Sequence, residues 1–259
     1  MHDAQVHPDG ARMRWIELPG AEPPRVYVHG LGAMSAPYFA GVATHPLLAG
    51  RRSLLVDLLG FGLSDRPADF GYTLEEHADA LAEAMRSAGA VGAEVIAHSM
   101  GGAVAIVMAA RHPGLVSALV LVDPNLDPVS PDRGTPGSSG IMTYTEEEFL
   151  RYGRQEVRDR VGPLWWSTMG LADPLALYRS GVNLARGTLP TMRELLLRLE
   201  IRRGLLYPEQ DGPPTGADGL RAAGVPLVPV ADCGHNIMLD NPEEFARATS
   251  RLLDHAARP

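Results

Sequence analysis

Six short runs of apolar and β-branched residues stand at 25–29, 53–57, 93–97, 117–122, 203–207 and 226–231, separated by stretches of helical periodicity. Several are apolar throughout, as strands buried on both faces are. The alternation predicts a mostly parallel central sheet flanked by crossover helices, an α/β fold. Between 74 and 88, Leu74, Ala78, Leu81 and Met85 follow one another at intervals of four, three and four, which places them on one face of a helix. Gly89 is the expected C-terminal stop. A second helix is expected behind Ser99, carrying Ala103 to Ala110 and ending before Pro113. The last opens on Asn241 as cap, with Pro242 at its first position and Glu244 three residues after the cap. Pro229 interrupts the final apolar run. Proline cannot donate to a ladder, so that strand is expected at a sheet edge.

Residues 124–140 are rich in Pro, Gly, Ser and Asp and read as loop. From about 144 to 202 the pattern is helical and holds no strand. The expected organisation is one core built from 1–124 and 203–259, with a helical cap inserted at 125–202. Within that insertion Trp165, Trp166, Met169, Leu171 and Tyr178 are candidates to face a substrate cavity. The plainer alternative is that they pack the insertion onto the core. No internal repeat is evident.

Composition narrows the function classes. With 259 residues, 45% of them hydrophobic, the chain suits one large α/β domain with an insertion, and such a chain buries a core without disulfides. Cys233 is the only cysteine, which excludes an intramolecular disulfide and fits a reducing, cytoplasmic compartment. The first ten residues lack the basic and then apolar run of a signal peptide, and no apolar run has bilayer-spanning length. A net charge of −8 argues against nucleic acid. The expected partner is a small-molecule substrate, with neither nucleic acid nor membrane, and the oligomeric state stays open.

The stretch Val95 to Gly102 carries the chemistry: an apolar strand runs into Ser99, held between small residues, and a helix follows at once. That is the layout of a nucleophile elbow, a tight strand-to-helix turn that pushes a strained serine outward. Ala97 stands where the G-x-S-x-G pattern has its first glycine, and alanine is still small enough for that position. Serine capping an ordinary helix is the bland reading. Three other segments accompany the elbow. Arg25 to Gly32 is a strand ending in a glycine-rich loop, and Leu54 to Pro67 carries a second strand followed by Gly60 and Gly62. The third, Asp232-Cys233-Gly234-His235, precedes Asn241-Pro242-Glu243-Glu244-Phe245.

In these four segments, and in their order, the chain resembles the α/β-hydrolase family, in its capped branch, from roughly Trp15 to Leu253. The resemblance implies an α/β-hydrolase fold and a cofactor-free serine hydrolase. A serine nucleophile needs a base within hydrogen-bond reach. His235 lies in a Gly-His turn behind a predicted strand, and the family motif assigns it that role. The other histidines lack such a setting: His77 is expected on an exposed helix face, His98 beside the serine but pointing away, and His29 as a brace for the glycine-rich loop.

A carboxylate should orient the imidazole. Asp211 follows a predicted strand, resembles the family's usual acid position and is preferred. Asp123, behind an earlier strand, is the alternative, which some relatives use. Pro208 in place of a glycine and the short interval from 211 to 235 weaken Asp211. If Asp211 is the acid, Asp123 is expected to cap local backbone before Pro124. The oxyanion hole is expected from the backbone N–H groups of Met100 and Leu31, with Gly30 and Gly32 shaping the loop and Gly30 lining the substrate site. Asp57, Ser64 and Asp65 are expected to bond local backbone, and Cys233 to pack. Metal-ligand spacing and a P-loop lysine are both absent from the sequence.

The resulting expectation is hydrolysis of a small-molecule carboxylic ester through an acyl-enzyme. C–C bond hydrolysis, lactone, amide or thioester hydrolysis and acyl transfer are alternatives on the same residues. A non-catalytic ligand receptor and a lyase are alternatives of other classes. Substrate identity rests with the cap, whose sequence carries little transferable information.

Overall fold

A computed structural model describes residues 1–129 and 139–254. Eight strands form one sheet: β1 (His2–Gln5), β2 (Arg12–Leu18), β3 (Ala21–Val28), β4 (Arg51–Asp57), β5 (Ala93–His98), β6 (Val116–Val122), β7 (Arg202–Pro208) and β8 (Leu227–Val230). Their spatial order is β1-β2-β4-β3-β5-β6-β7-β8. From β4 to β8 every pairing is parallel. All six expected runs are strands, and β8, with Pro229, is the edge.

The two strands that pattern reading passes over, β1 and β2, pair antiparallel at the other edge. They are short and charged, and β2 buries only Met13 and Trp15 in alternation. A strand covered on one face needs no continuous apolar run.

Successive residues of the inner strands feed two separate cores. Val26, Val28, Val95 and Ala97 join one, while Tyr27 and Ile96 join the other. The first core is covered by α2 (Leu74–Ser87) and α3 (Met100–Arg111), the second by α1 (Ser35–Ala43), α9 (Ile237–Asp240) and α10 (Pro242–Asp254). In α2, Leu74, Ala78, Leu81 and Met85 are buried as the spacing requires, and Thr73 and Glu76 close a capping box. The Asn241 side chain accepts from the Glu244 N–H at the start of α10, at 3.2 Å.

Between β6 and β7 the described residues form helices and turns. They are α4 (Glu146–Glu148), leading through the wide turn Phe149–Gly153 into α5 (Arg154–Met169), then α6 (Pro174–Arg186) and α7 (Met192–Arg198). Gly162 at φ 78°, followed by Pro163, breaks α5. α8 (Ala217–Ala222) completes the set between β7 and β8. The expected loop over 124–140 falls partly on 130–138, outside the described residues.

The insertion corrects one expectation. His77 does not lie on an exposed face; it is fully buried, with Nε2 3.0 Å from Ser180 Oγ of α6. Burial pushes its imidazole down to about 3. The periodicity of α2 identifies the face turned to the sheet. It carries no sign that α6 covers a second face.

Candidate active site

The site stands at the C-terminal ends of β3, β5 and β6. His98 is level with Val122 in the β5–β6 register, so the residues that follow, Ser99 and Asp123, leave neighbouring strands side by side. The Ser99 N–H donates to Val122 O at 2.9 Å, carrying the ladder one step past β5. Ser99 then turns at φ 52°, ψ −121°, a conformation that a β-carbon disfavours. The turn is tight because α3 begins immediately. A Cβ on Gly101 would lie 2.4 Å from His29 O, and one on Gly102 would lie 2.8 Å from Pro124 Cβ. Close packing at the elbow accounts for both glycines.

The structure brings His235 to Asp123, not to Asp211. His235 Nδ1 and Asp123 Oδ2 are 2.6 Å apart, and both side chains are about one-third exposed, at 37% and 32%. The proton lies between a ring nitrogen and a carboxylate oxygen, which leaves Nε2 for other partners. Asp123 takes φ 43° directly behind β6, and its own N–H donates to Leu206 O at 2.8 Å. Its carboxylate therefore does not serve as the backbone cap expected before Pro124. Asp211, the preferred acid from sequence, sits exposed in a 3-10 turn, Glu209–Asp211, behind β7. The reason lies in the sheet order: β6 is the direct neighbour of the elbow strand and β7 is one strand further out.

His98 does not point at the tip of the elbow. It is fully buried beneath His235, with ring centroids 4.6 Å apart, and its Nε2–H donates to His235 O at 2.9 Å. Burial and the neighbouring His235 hold its imidazole well below the ordinary range. It is therefore a neutral clamp on the backbone of the loop that carries His235. The sequence signals only that a histidine precedes the serine.

The glycine-rich loop is braced as expected. The Leu58 N–H donates to His29 Nε2 at 3.0 Å, so Nδ1 carries the proton and donates to Gly30 O at 2.7 Å. Full burial holds this imidazole below its usual range. Gly30 lies against the elbow, where a Cβ would stand 3.0 Å from both Ser99 Cβ and His98 Nδ1. Met100 is the first residue of α3, whose leading N–H groups have no acceptor within the helix.

Ser99, Leu31 and Trp165 together border two spaces. One also touches Asn125, Met142 and Leu184. The other also touches Gly30, Tyr38, His98, His235 and Asn236. The Ser99 hydroxyl donates to Asn125 Oδ1 at 3.4 Å. Asn125 was not singled out from sequence; its position two residues behind Asp123 is the only signal that could have found it.

Of the insertion residues expected at a cavity, Trp165 is at both, its indole N–H donating to Leu31 O at 2.9 Å. The others take structural places. Trp166 lies under the Arg154 guanidinium, 5.2 Å from its ring centre. Met169 is buried against Gly32, and the Tyr178 hydroxyl donates to Tyr144 O at 3.0 Å. Leu171 is 61% exposed. Helical periodicity marks none of these differences, because they depend on which segments each residue meets in the fold.

Other residues resolve simply. Asp57 accepts from the Ser35 and Leu63 N–H groups. Ser64 and Asp65 reach further than the local backbone, to the Arg14 and Arg12 N–H groups of β2. The Cys233 thiol donates to Val230 O at 3.2 Å, and burial pushes it up to about 11, which suits packing and not nucleophilic attack. His7, Asp9 and Asp69 offer ligand atoms within 4.8 Å of one another on the surface, though the two carboxylates are exposed and such acidic groups are common without an ion. No helix among the described residues is long and apolar enough to cross a membrane.

The chain is 37% identical over 109 residues to a probable lysophospholipase, BODYGUARD 3, of Arabidopsis thaliana, covering 40% of this chain and 22% of that protein. It is 36% identical over 102 residues to 2-hydroxymuconate semialdehyde hydrolase of Pseudomonas putida, covering 38% of this chain and 35% of that protein. The chain thus spans well under half the length of these curated relatives. An esterase from Exiguobacterium antarcticum shares the fold, with a TM-score of 0.77 and 20% identity over 97% of this chain and 98% of that one. The sequence model of the alpha/beta hydrolase fold matches residues 23–153, just over half of the chain. The chain belongs to the α/β-hydrolase fold family.

Proposed function

We propose that the protein is a serine hydrolase that cleaves a small-molecule carboxylic ester through an acyl-enzyme on Ser99. One observation carries this reading: the strained Ser99 faces the same space as His235, whose other ring nitrogen is held by Asp123. His235 Nε2 takes the Ser99 proton as Oγ bonds to the carbonyl carbon. The Leu31 and Met100 N–H groups hold the oxyanion, where losing one such donor typically costs about 100- to 1,000-fold in rate. Collapse breaks the carbon–oxygen bond, and His235 returns the proton to the departing alcohol. Water then attacks the acyl-enzyme, giving its proton to the same nitrogen, and Ser99 recovers a proton as the acid leaves. Asp123 orients the ring and stabilises its cation.

Residues 125–202 act as the cap over this site, in a cytoplasmic protein that needs no cofactor. A second reading is hydrolysis of a carbon–carbon bond beside a ketone, favoured by the relative named 2-hydroxymuconate semialdehyde hydrolase.

A fluorophosphonate adduct located by mass spectrometry tests the proposal. The adduct is expected on Ser99 and absent from Ser99→Ala, together with loss of p-nitrophenyl butyrate turnover. Labelling elsewhere, or turnover that survives Ser99→Ala, overturns it. Tight ligand binding without turnover would make the protein a receptor.

A further inference from the structure

On the ester-hydrolase reading above, we propose that the Tyr38 hydroxyl is a further catalytic group, which acts in deacylation by holding the attacking water beside Ser99 and His235. The space that Ser99 and His235 share is about the size of one water molecule, and Tyr38, His98 and Gly30 also border it. Tyr38 belongs to α1 and is 3% exposed. Its hydroxyl is buried and makes no hydrogen bond among the described residues. The nearby Thr168 hydroxyl is turned elsewhere and donates to Trp165 O at 3.3 Å. Burial raises the Tyr38 pKa, with Thr168 acting in the opposite direction, so the phenol keeps its proton and can donate it in a hydrogen bond.

His98 supplies a second buried polar atom without a protein partner. Its Nε2–H is taken by His235 O, which leaves Nδ1 as an acceptor, and Nδ1 makes no hydrogen bond among the described residues. A Cβ on Gly30 would stand 3.0 Å from both His98 Nδ1 and Ser99 Cβ, so this nitrogen and the serine flank the same glycine. The Tyr38 and His98 rings are stacked, with centroids 6.2 Å apart. Buried donors and acceptors are costly to leave unpaired, and a buried water with about three hydrogen bonds is the usual partner of such groups.

The bonding capacity of one water fits these groups. One of its hydrogens goes to His235 Nε2 and the other to His98 Nδ1. One lone pair accepts the Tyr38 O–H, and the other faces the acyl carbon. In deacylation that lone pair forms the new carbon–oxygen bond as the first hydrogen passes to His235 Nε2. Collapse then breaks the bond from carbon to Ser99 Oγ, which takes the same proton from His235. Tyr38 and His98 hold the water and exchange no proton with it.

p-Nitrophenyl dimethylcarbamate separates the two half-reactions. It should carbamoylate Ser99 and release p-nitrophenolate, which leaves without needing a proton, and activity should return only as water removes the carbamoyl group. Tyr38→Phe keeps the ring and deletes the hydroxyl. Its carbamoylation rate should stay within about twofold of wild type, while the return of p-nitrophenyl butyrate turnover should slow about tenfold, the effect of one hydrogen bond on a rate. Equal rates of return overturn the proposal and leave the ester reading intact. Equal losses in both half-reactions also overturn it, because they mark a structural role. A wild type that neither carbamoylates at Ser99 nor hydrolyses p-nitrophenyl butyrate defeats the ester reading and the proposal with it.

A crystal structure of the unmodified wild type tests the water without any variant. An ordered oxygen is expected within about 3.2 Å of both Tyr38 Oη and His98 Nδ1. A water bonded to neither group, or side chains packed into the space, overturns the proposal.

Discussion

Asp123 and His235, 112 positions apart in the chain, meet with 2.6 Å between Oδ2 and Nδ1. The meeting is made by strand order, since β6 lies beside β5 and delivers Asp123 next to the elbow while the loop behind β8 brings His235 over it. A carboxylate there selects the ring tautomer that leaves Nε2 free to accept a proton. Asp123→Asn should therefore lower kcat about 10⁴-fold, the loss seen when this partner of a serine–histidine pair becomes an amide. Asp211→Asn, at an exposed turn, should leave kcat at the wild-type level and stability within about 0.5 kcal/mol. Steady-state hydrolysis of p-nitrophenyl butyrate by both variants checks this, and a larger loss at Asp211 would refute the assignment.

His98 acts through His235 as a positioning residue. Its Nε2–H is bonded to the carbonyl of the residue that carries the reactive ring. His98→Phe keeps the aromatic bulk and deletes the donor. A net hydrogen bond of about 1–1.5 kcal/mol corresponds to a fall in kcat of roughly tenfold, with KM little changed. If KM rose and kcat stayed constant, the residue would be shaping the cavity instead.

Gly101→Ala should be among the most damaging small substitutions in the chain. Its Cβ would press on the carbonyl oxygens of His29 and Val28, which belong to backbone and cannot rotate away. Overpacking of this kind costs about 1–3 kcal/mol. Because the displaced segment carries the glycine-rich loop, activity should fall further than stability alone predicts. Urea unfolding and kcat measured on the same preparation would show whether the two losses separate.

Acid should destabilise the fold before it titrates most carboxylates. Burial holds His77 down to about 3, well below the ordinary value of 6.5, while His29 and His98 are held down in the same direction. In this range the unfolded chain binds more protons than the folded one, so stability falls as pH drops from 6.5 toward 3 and is fully present above 6.5. His77 adds a slope approaching about 1.4 kcal/mol per pH unit, which amounts to roughly 4–5 kcal/mol across the window. Urea unfolding of wild type and His77→Gln at pH 7, 6 and 5 checks this. The variant's curve should be flatter by about one proton, and parallel curves would contradict the assigned burial.

Much of the site was legible because it is local. The elbow needs a strand, a serine, small neighbours and a helix in immediate succession, and Val95 to Gly102 contains them all. The packed thiol at Cys233, bonded to Val230 O three residues before it, was legible for the same reason. Resemblance to the family's usual acid position favours Asp211 over Asp123, but both follow strands, and pattern alone does not say which strand ends beside β5. His77 was misplaced because helical periodicity reports the face turned to the sheet and is silent about a helix arriving 100 residues later to cover another face.

Continuous apolar runs, the proline in the last one and the strand–serine–helix junction determined the parallel sheet, its β8 edge and the position of Ser99, since each depends on a few adjacent residues. Tertiary structure alone decided that Asp123 holds His235, that His98 clamps it from below, and that Trp165 is the insertion residue at both cavities. Those relationships rest on strand order and on contacts between segments distant in the chain, and a one-dimensional pattern records none of them.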